Sequence, residues 1–331
     1  MNMESRILGK DLTVSAVGLG CMGFSHAYGV ATEKNAAIKA MQSAFEAGYT
    51  FFDTAETYLG TNADGSISYN EELVGEALAP YRSKVQIATK FGVHHEGRTI
   101  VTDSRPRTIR KSVEGSLQKL GTDHIDLYYQ HRIDTTVPAE EVAGVMADLI
   151  REGKITHWGI SETTEEYLRK AHAVCPVTAI QNRYSMMYRD YEKLFPVLEE
   201  LGVGFVAFSP MANGLLTGKY TADSKFSQDD YRSVMPQFSA SAMDENRELL
   251  ELLHSLATNK NATPAQVSMA WMLCKKPYIV PIPGSRKVER LIENAGAAAI
   301  KLTADEVQKL DTALSNMEMS AVFGGSKIKE K

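Results

Sequence analysis

The sequence predicts an α/β fold, a (β/α)8 TIM barrel behind an N-terminal β-hairpin, and three observations predict it. Eight short runs rich in β-branched and aromatic residues recur along the chain, each followed by a helical or loop stretch. Those runs are apolar on both faces, as strands of a buried parallel sheet must be. No Pro-, Gly- or Ser-rich linker divides the 331 residues, so residues 1–331 read as one barrel domain.

The elements follow in order. RILGKDLTVS (6–15) reads as the hairpin. The strands are VSAVGLG (14–20), YTFFDTA (49–55), KVQIATKFG (84–92), HIDLYYQHR (124–132), ITHWGIS (155–161), TAIQNRYS (178–185), GFVAFSP (204–210) and YIVPIPG (278–284). Helical periodicity appears over 36–48, 71–81, 107–121, 138–154 and 191–202, and several of these stretches end in Gly, a C-cap signal. An open dinucleotide-binding sheet should show GxGxxG opening its first helix. GLGCMG (18–23) has those glycines, but FSHAYG follows where the helix should start. Residues 220–240 read as a loop excursion on the rim, and LGTNADGSISYNEE (59–72) as a long loop. AVFGGSKIKEK ends the chain as a mobile charged tail.

Composition excludes several function classes. The chain is 44% hydrophobic and 23% charged, ordinary for a globular protein, and its net charge of −5 argues against a nucleic-acid partner. Cys21, Cys175 and Cys274 are scattered and fit free thiols in a reducing cytoplasm. No Cys/His cluster has metal-ligand spacing, so no metal is expected. No apolar run suits a signal peptide or a membrane span. Nothing in the composition speaks to oligomeric state.

In such barrels the active site lies at the C-terminal strand ends. Three successive strands end in ionisable groups, Asp53, Lys90 and His131, with Tyr58 just beyond the first. Carbonyl reduction suits this set. The carbonyl oxygen gains negative charge as hydride reaches carbon, and it needs a proton donor. A tyrosine with an ordinary pKa of about 10 is a slow acid. Lys90 would lower that pKa by favouring the phenolate. Asp53 would hold Lys90 charged, and His131 would orient the carbonyl oxygen. Each residue alone has a bland alternative: a helix-capping Asp, a packing Tyr, a solvent-facing Lys, a core His. Their order at successive strand ends favours the shared pocket.

These stretches resemble the aldo-keto reductases over nearly the whole chain. FFDTAETY (51–58), IATKFG (87–92) and DLYYQHRIDTTVP (126–138) match the family's catalytic strands, and GLLTGKY (214–220) and PIPGSRKVERLIENAGA (281–297) match its late cofactor loops. The resemblance is closest to the branch with plant alkaloid reductases and pyridoxal reductases. It implies a barrel that binds NADPH without a Rossmann fold and reduces aldehydes or ketones, with Asp53, Tyr58, Lys90 and His131 as the catalytic tetrad. Ser161 and Gln181 are then expected on the nicotinamide carboxamide and Phe208 on the nicotinamide ring. Ser209, Met211, Asn213, Gly214 and Leu215 are expected around the pyrophosphate. Gly284, Ser285 and Arg286 follow strand eight, and Arg286 with Ser285 suits a 2′-phosphate. Arg290 and Asn294 share a helix face toward the adenosine, with Glu293 beside them. Gly20 and Met22, at the end of strand one, complete the cofactor set.

The chain departs from the family pattern in places. Glu162 stands where many members have Asn. It is expected to accept from the carboxamide or to turn toward Lys90 or His131. Phe208 replaces the commoner Tyr. Met22, Tyr28, Leu59, Phe91, His94 and Arg132 are the candidates for the substrate pocket, a small-molecule carbonyl compound being the expected partner. Two alternatives accompany the reductase: an aldolase with Lys90 as a Schiff base, and a non-catalytic NADPH-binding regulatory subunit.

Overall fold

The computed structural model describes residues 3–97, 99–322, 328 and 329. It opens with an antiparallel hairpin of β1 (Ser5–Leu8) and β2 (Leu12–Ser15). Val14 and Ser15, which the hairpin and the first barrel strand were both expected to hold, belong to the hairpin. The chain then alternates. β3 (Leu19–Gly20) leads to α1 (Lys34–Glu46). β4 (Phe51–Asp53) leads through a small hairpin, β5 (Leu59–Thr61) and β6 (Ile67–Tyr69), into α2 (Asn70–Leu78). β7 (Gln86–Phe91) leads through a second hairpin, β8 (Val93–Glu96) and β9 (Thr99–Thr102), into α3 (Pro106–Leu120). Next come β10 (Ile125–Gln130), α4 (Ala139–Arg151), β11 (Ile155–Ser161), α5 (Glu165–Val174), β12 (Ala179–Arg183) and α6 (Phe195–Leu201). β13 (Gly204–Phe208) precedes an irregular excursion and the helices α7 (Ala240–Glu245), α8 (Arg247–Asn259) and α9 (Pro264–Lys275). β14 (Ile279–Pro281), α10 (Val288–Ala295) and α11 (Ala304–Asn316) follow.

Eight strands pair in the order β3, β4, β7, β10, β11, β12, β13, β14, all in parallel. The last returns to the first: Gly18 N–H donates to Pro281 O at 2.9 Å, and Gly20 N–H to Pro283 O at 3.2 Å. These bonds close the barrel. The seam is tight. A Cβ on Gly20 would lie 2.8 Å from Ile282 O, and one on Gly284 would lie 2.7 Å from Gly20 O.

Strand alternation divides the core in two. Phe51, Ala88, Leu127, Tyr129, Ala179, Val206 and Val280 fill the barrel interior, and Leu8, Leu12 and Val14 of the hairpin plug its floor. Phe52, Ile87, Tyr128, Ile180 and Phe205, one residue out of phase, pack outward under the helices. The same alternation aims the site. Asp53, Lys90, His131, Gln181 and Phe208 each lie two residues beyond an interior residue, so all five point inward at the upper rim.

Two expectations change. The stretch 59–72 is a hairpin running into α2, with the Asp64 carboxylate accepting from Ser66 N–H at 2.9 Å in its turn. Part of the expected tail, 323–327 and 330–331, lies outside the described residues. Ile328 bridges Ile100, and Lys329 pairs with Glu96 at 2.8 Å, so this portion is docked. Among the described residues, no helix is long and apolar enough to cross a membrane.

Candidate active site

A cavity of about 2050 Å³ opens over the C-terminal strand ends. That volume exceeds the roughly 300–1,000 Å³ of an ordinary small-molecule pocket and leaves room for two ligands. Asp53, Tyr58 and His131 line it. Lys90 is fully buried behind them.

The Lys90 ammonium is completely engaged. It donates to Asp53 Oδ1 at 2.5 Å, Thr54 O at 2.8 Å and Tyr58 Oη at 3.2 Å. Asp53 Oδ2 accepts from Gln181 Nε2 at 2.7 Å. Burial alone would lower the Lys90 pKa, but Asp53 and Tyr58 together hold it above its ordinary value. Lys90 is therefore charged at neutral pH; burial pushes the Asp53 carboxyl up, while Lys90 and the Gln181 hydrogen bond pull it down. Burial raises the Tyr58 pKa above that of a free phenol, while Lys90 pulls it down. The expected effect of Lys90 is present, but desolvation outweighs it, so the net shift is upward. The His131 ring meets Tyr58 edge-on, with centroids 5.8 Å apart at 83°. Burial, then the charges of Arg132 and Lys90, hold His131 well below its ordinary pKa, so its imidazole is neutral.

The far end of the cavity combines a strained turn with a cationic side chain. Ser209, Ala212, Asn213 and Gly214 take left-handed φ values of 50°, 47°, 58° and 103°. The N–H groups of Ala212 and Gly214 are engaged within the turn, on Ser209 O at 3.0 Å and Met211 O at 2.9 Å, and backbone strain of this kind concentrates where a ligand sits. Arg286 donates to the carbonyls of Gly23 and Val30, yet its Nη2 is buried without a partner among the described residues. A phosphate-bearing ligand would satisfy it. Arg290 pairs with Glu293, and both line the cavity with the buried Asn294. The loop before α1 meets the excursion after β13 over this end. Tyr28 bridges Asp230, and Tyr231 N–H donates to Ala27 O at 2.9 Å. Among the described residues no cluster of three or more His, Cys, Asp or Glu is placed to hold a metal ion.

The chain matches the Aldo/keto reductase family model over residues 16–315. It belongs to the aldo-keto reductase family. It is 40% identical over 304 residues to the Probable aldo-keto reductase 1 of Glycine max, covering 91% of this chain and 86% of that one. The glycerol dehydrogenase of Gluconobacter oxydans superposes with a TM-score of 0.84 at 28% identity, over 98% of this chain and 99% of that one. An aldo-keto reductase of Klebsiella pneumoniae, solved in complex with NADP and acetate, superposes at 0.69 with 26% identity, over 94% and 95% of the two chains.

Within this aldo-keto reductase, the cavity gathers Gly20, Met22, Ser161, Gln181, Phe208, Ser209, Met211, Asn213, Gly214, Gly284, Ser285 and Arg286 beside the Arg290 end. The Leu215 side chain is buried in the outer core, which leaves only its backbone to face a ligand. Of the residues expected around substrate, Met22, Tyr28, Leu59, His94 and Arg132 line the cavity. Phe91 points outward and packs on Tyr128, with ring centroids 5.0 Å apart. Glu162 turns to neither Lys90 nor His131. Its carboxylate accepts from Arg183 N–H at 3.1 Å and from Tyr191 Oη at 2.9 Å. Its φ of +55° carries the chain out of the strand at that point. Asp230 and Arg232 went unnoticed in the sequence. They pair over the roof, with the guanidinium 5.2 Å from the Tyr28 ring centre and 4.7 Å from that of Phe226. The charged and aromatic cluster QDDYR (228–232) was their signal. His26 and His95, which also line the cavity, had none.

Proposed function

We propose that this chain, acting as one barrel domain in the cytoplasm, reduces aldehyde or ketone carbonyls to alcohols with NADPH, Tyr58 donating the proton. The reading rests on one observation: the Tyr58 hydroxyl faces the cavity with the Lys90 ammonium 3.2 Å behind it and Asp53 anchoring that ammonium.

Bound NADPH would supply a hydride to the carbonyl carbon. Ser161 and Gln181 would hold its carboxamide, and Phe208 its nicotinamide ring. The turn of Ser209, Met211, Asn213 and Gly214 would hold the pyrophosphate. Ser285 and Arg286 would meet the 2′-phosphate, with Arg290 and Asn294 at the adenosine. The Klebsiella relative solved with NADP supports this choice of cofactor.

The neutral His131 offers an N–H to the carbonyl oxygen and fixes its position. Tyr58 Oη gives its proton to that oxygen as negative charge builds there. The phenolate left behind is stabilised by Lys90, whose charge Asp53 balances, and solvent returns the proton. Aldolase chemistry fits poorly. A Schiff base needs a free, accessible amine, whereas Lys90 is buried, charged and bonded three times.

A panel of aldehydes, ketones and pyridoxal, read by NADPH absorbance, tests the proposal. Turnover of any of them supports it. NADPH binding without turnover on the whole panel would favour the regulatory-subunit alternative. A borohydride-trapped adduct on Lys90 would favour the aldolase.

A further inference from the structure

Arg132 follows His131 and lines the same cavity as Tyr58. Its Nη1 donates to His131 O at 2.6 Å and to Ser161 Oγ at 3.1 Å, which pins one corner of the guanidinium. Nη2 and Nε have no acceptor among the described residues, and no described carboxylate lies within ion-pair distance. Glu162, whose charge Arg132 feels most strongly, spends its oxygens on Arg183 N–H and Tyr191 Oη. A guanidinium stays charged in a protein, so its unpaired edge cannot be relieved by losing a proton. That edge faces the cavity with no balancing carboxylate bonded to it among the described residues, so an anionic ligand entering the cavity would meet a fixed positive charge there.

The surroundings suggest what meets it. The His26 ring stacks on Tyr58 with centroids 5.9 Å apart at 21°, and His95 lies 5.7 Å from His26. With His131 edge-on, these rings line the cavity beside Tyr58 with aromatic surface against which an organic substrate can pack. A guanidinium edge presents two N–H groups in the geometry of a carboxylate's two oxygens.

We infer that Arg132 recognises substrate, and that the carbonyl compound reduced here carries a carboxylate that docks on the open edge of its guanidinium. The inference rests on the reductase reading above. The acid brings its anion to Arg132 while its carbonyl lies at Tyr58 and His131. The phosphates of the cofactor are expected elsewhere, near Arg286.

The test compares 4-formylbenzoate with its methyl ester, two aldehydes of similar shape and reactivity. Wild-type enzyme with NADPH should favour the acid in kcat/KM by about tenfold or more, the size of a hydrogen bond between charged groups. Arg132→Met should bring that ratio close to one, chiefly through KM for the acid. Arg132→Lys, which keeps the charge but loses the fork, should retain part of the preference and serves if the Met variant does not fold. NADPH affinity, read by fluorescence titration, should change by much less than the ratio. A wild-type ratio at or below one overturns the inference, as does an unchanged ratio in Arg132→Met. A loss of NADPH affinity matching the loss of preference also overturns it, because Arg132 would then serve the cofactor. Turnover of the ester without preference for the acid sinks only this inference. Failure to reduce any carbonyl sinks the reductase reading beneath it.

Discussion

The Lys90 ammonium donates to the Tyr58 hydroxyl at 3.2 Å from inside the barrel wall, where water does not reach. Its charge acts on the phenolate more than on the phenol, so it matters most after the proton has left. Burial still keeps the phenol protonated at rest. The resting state is thus the one a proton donor needs.

Tyr58→Phe removes that proton and one of the three acceptors of Lys90, while the ring keeps its edge contact with His131 and its stack with His26. Carbonyl reduction should fall by about 10²–10⁴, the usual reach of a positioned general acid. NADPH binding should survive, as read by fluorescence titration. Near-wild-type turnover in this variant would end the proton-donor assignment.

The raised pKa sets the direction of the pH profile. Reduction uses the phenol, so it holds across neutral pH and is lost as pH rises through the folded Tyr58 pKa, above the ordinary value of about 10. Oxidation of the alcohol uses the phenolate, so it gains over the same window. Lys90→Met removes the charge that pulls the pKa down, and both limbs should move further alkaline. Profiles of kcat/KM in the two directions check this. A reduction limb that falls near pH 7 would assign the proton to another group.

The tetrad was legible because β-strands alternate. Phe51 is interior, so Asp53 is too, and the same step links Ala88 to Lys90 and Tyr129 to His131. Glu162 was not legible. It follows a strand, yet its positive φ breaks the alternation and sends the carboxylate to Tyr191. The hairpin of β5 and β6 did leave a turn signal, Asp64-Gly65, inside what read as a loop. The hairpin of β8 and β9 lacked any clean polar–apolar pattern. The unpaired edge of Arg132 depends on where the Ser161 and Glu162 oxygens point, and only the folded barrel decides that.

Arg286 does two things that one substitution can separate. It ties the carbonyls of Gly23 and Val30, and it leaves Nη2 unpartnered among the described residues. Arg286→Ala loosens the loop for either cofactor, but only NADPH carries the 2′-phosphate. The dissociation constant for NADPH should rise by about tenfold or more, in line with a lost charge-assisted hydrogen bond. That for NADH should change far less. Equal losses, measured by fluorescence titration of both cofactors, would remove the 2′-phosphate role.

The same change, Gly to Ala, has opposite signs at the barrel seam and in α4. Gly284→Ala places a Cβ 2.7 Å from Gly20 O, where backbone faces backbone and neither strand can yield alone. The strands must part, which strains the bonds from Gly18 and Gly20 to the last strand. Overpacking of this kind typically destabilises by about 1–3 kcal/mol. Gly144 lies inside α4, and a Cβ there would meet nothing within 4 Å. Gly144→Ala restricts the unfolded chain and improves helix propensity, so it should stabilise by about 0.5–1 kcal/mol. Denaturant midpoints of the two variants should therefore move in opposite directions from wild type. Because Gly284 also leads into Ser285 and Arg286, its Ala variant should lose NADPH affinity as well, whereas Gly144→Ala should keep it. If Gly284→Ala unfolds no earlier than wild type, the close approach at the seam does not hold the barrel shut.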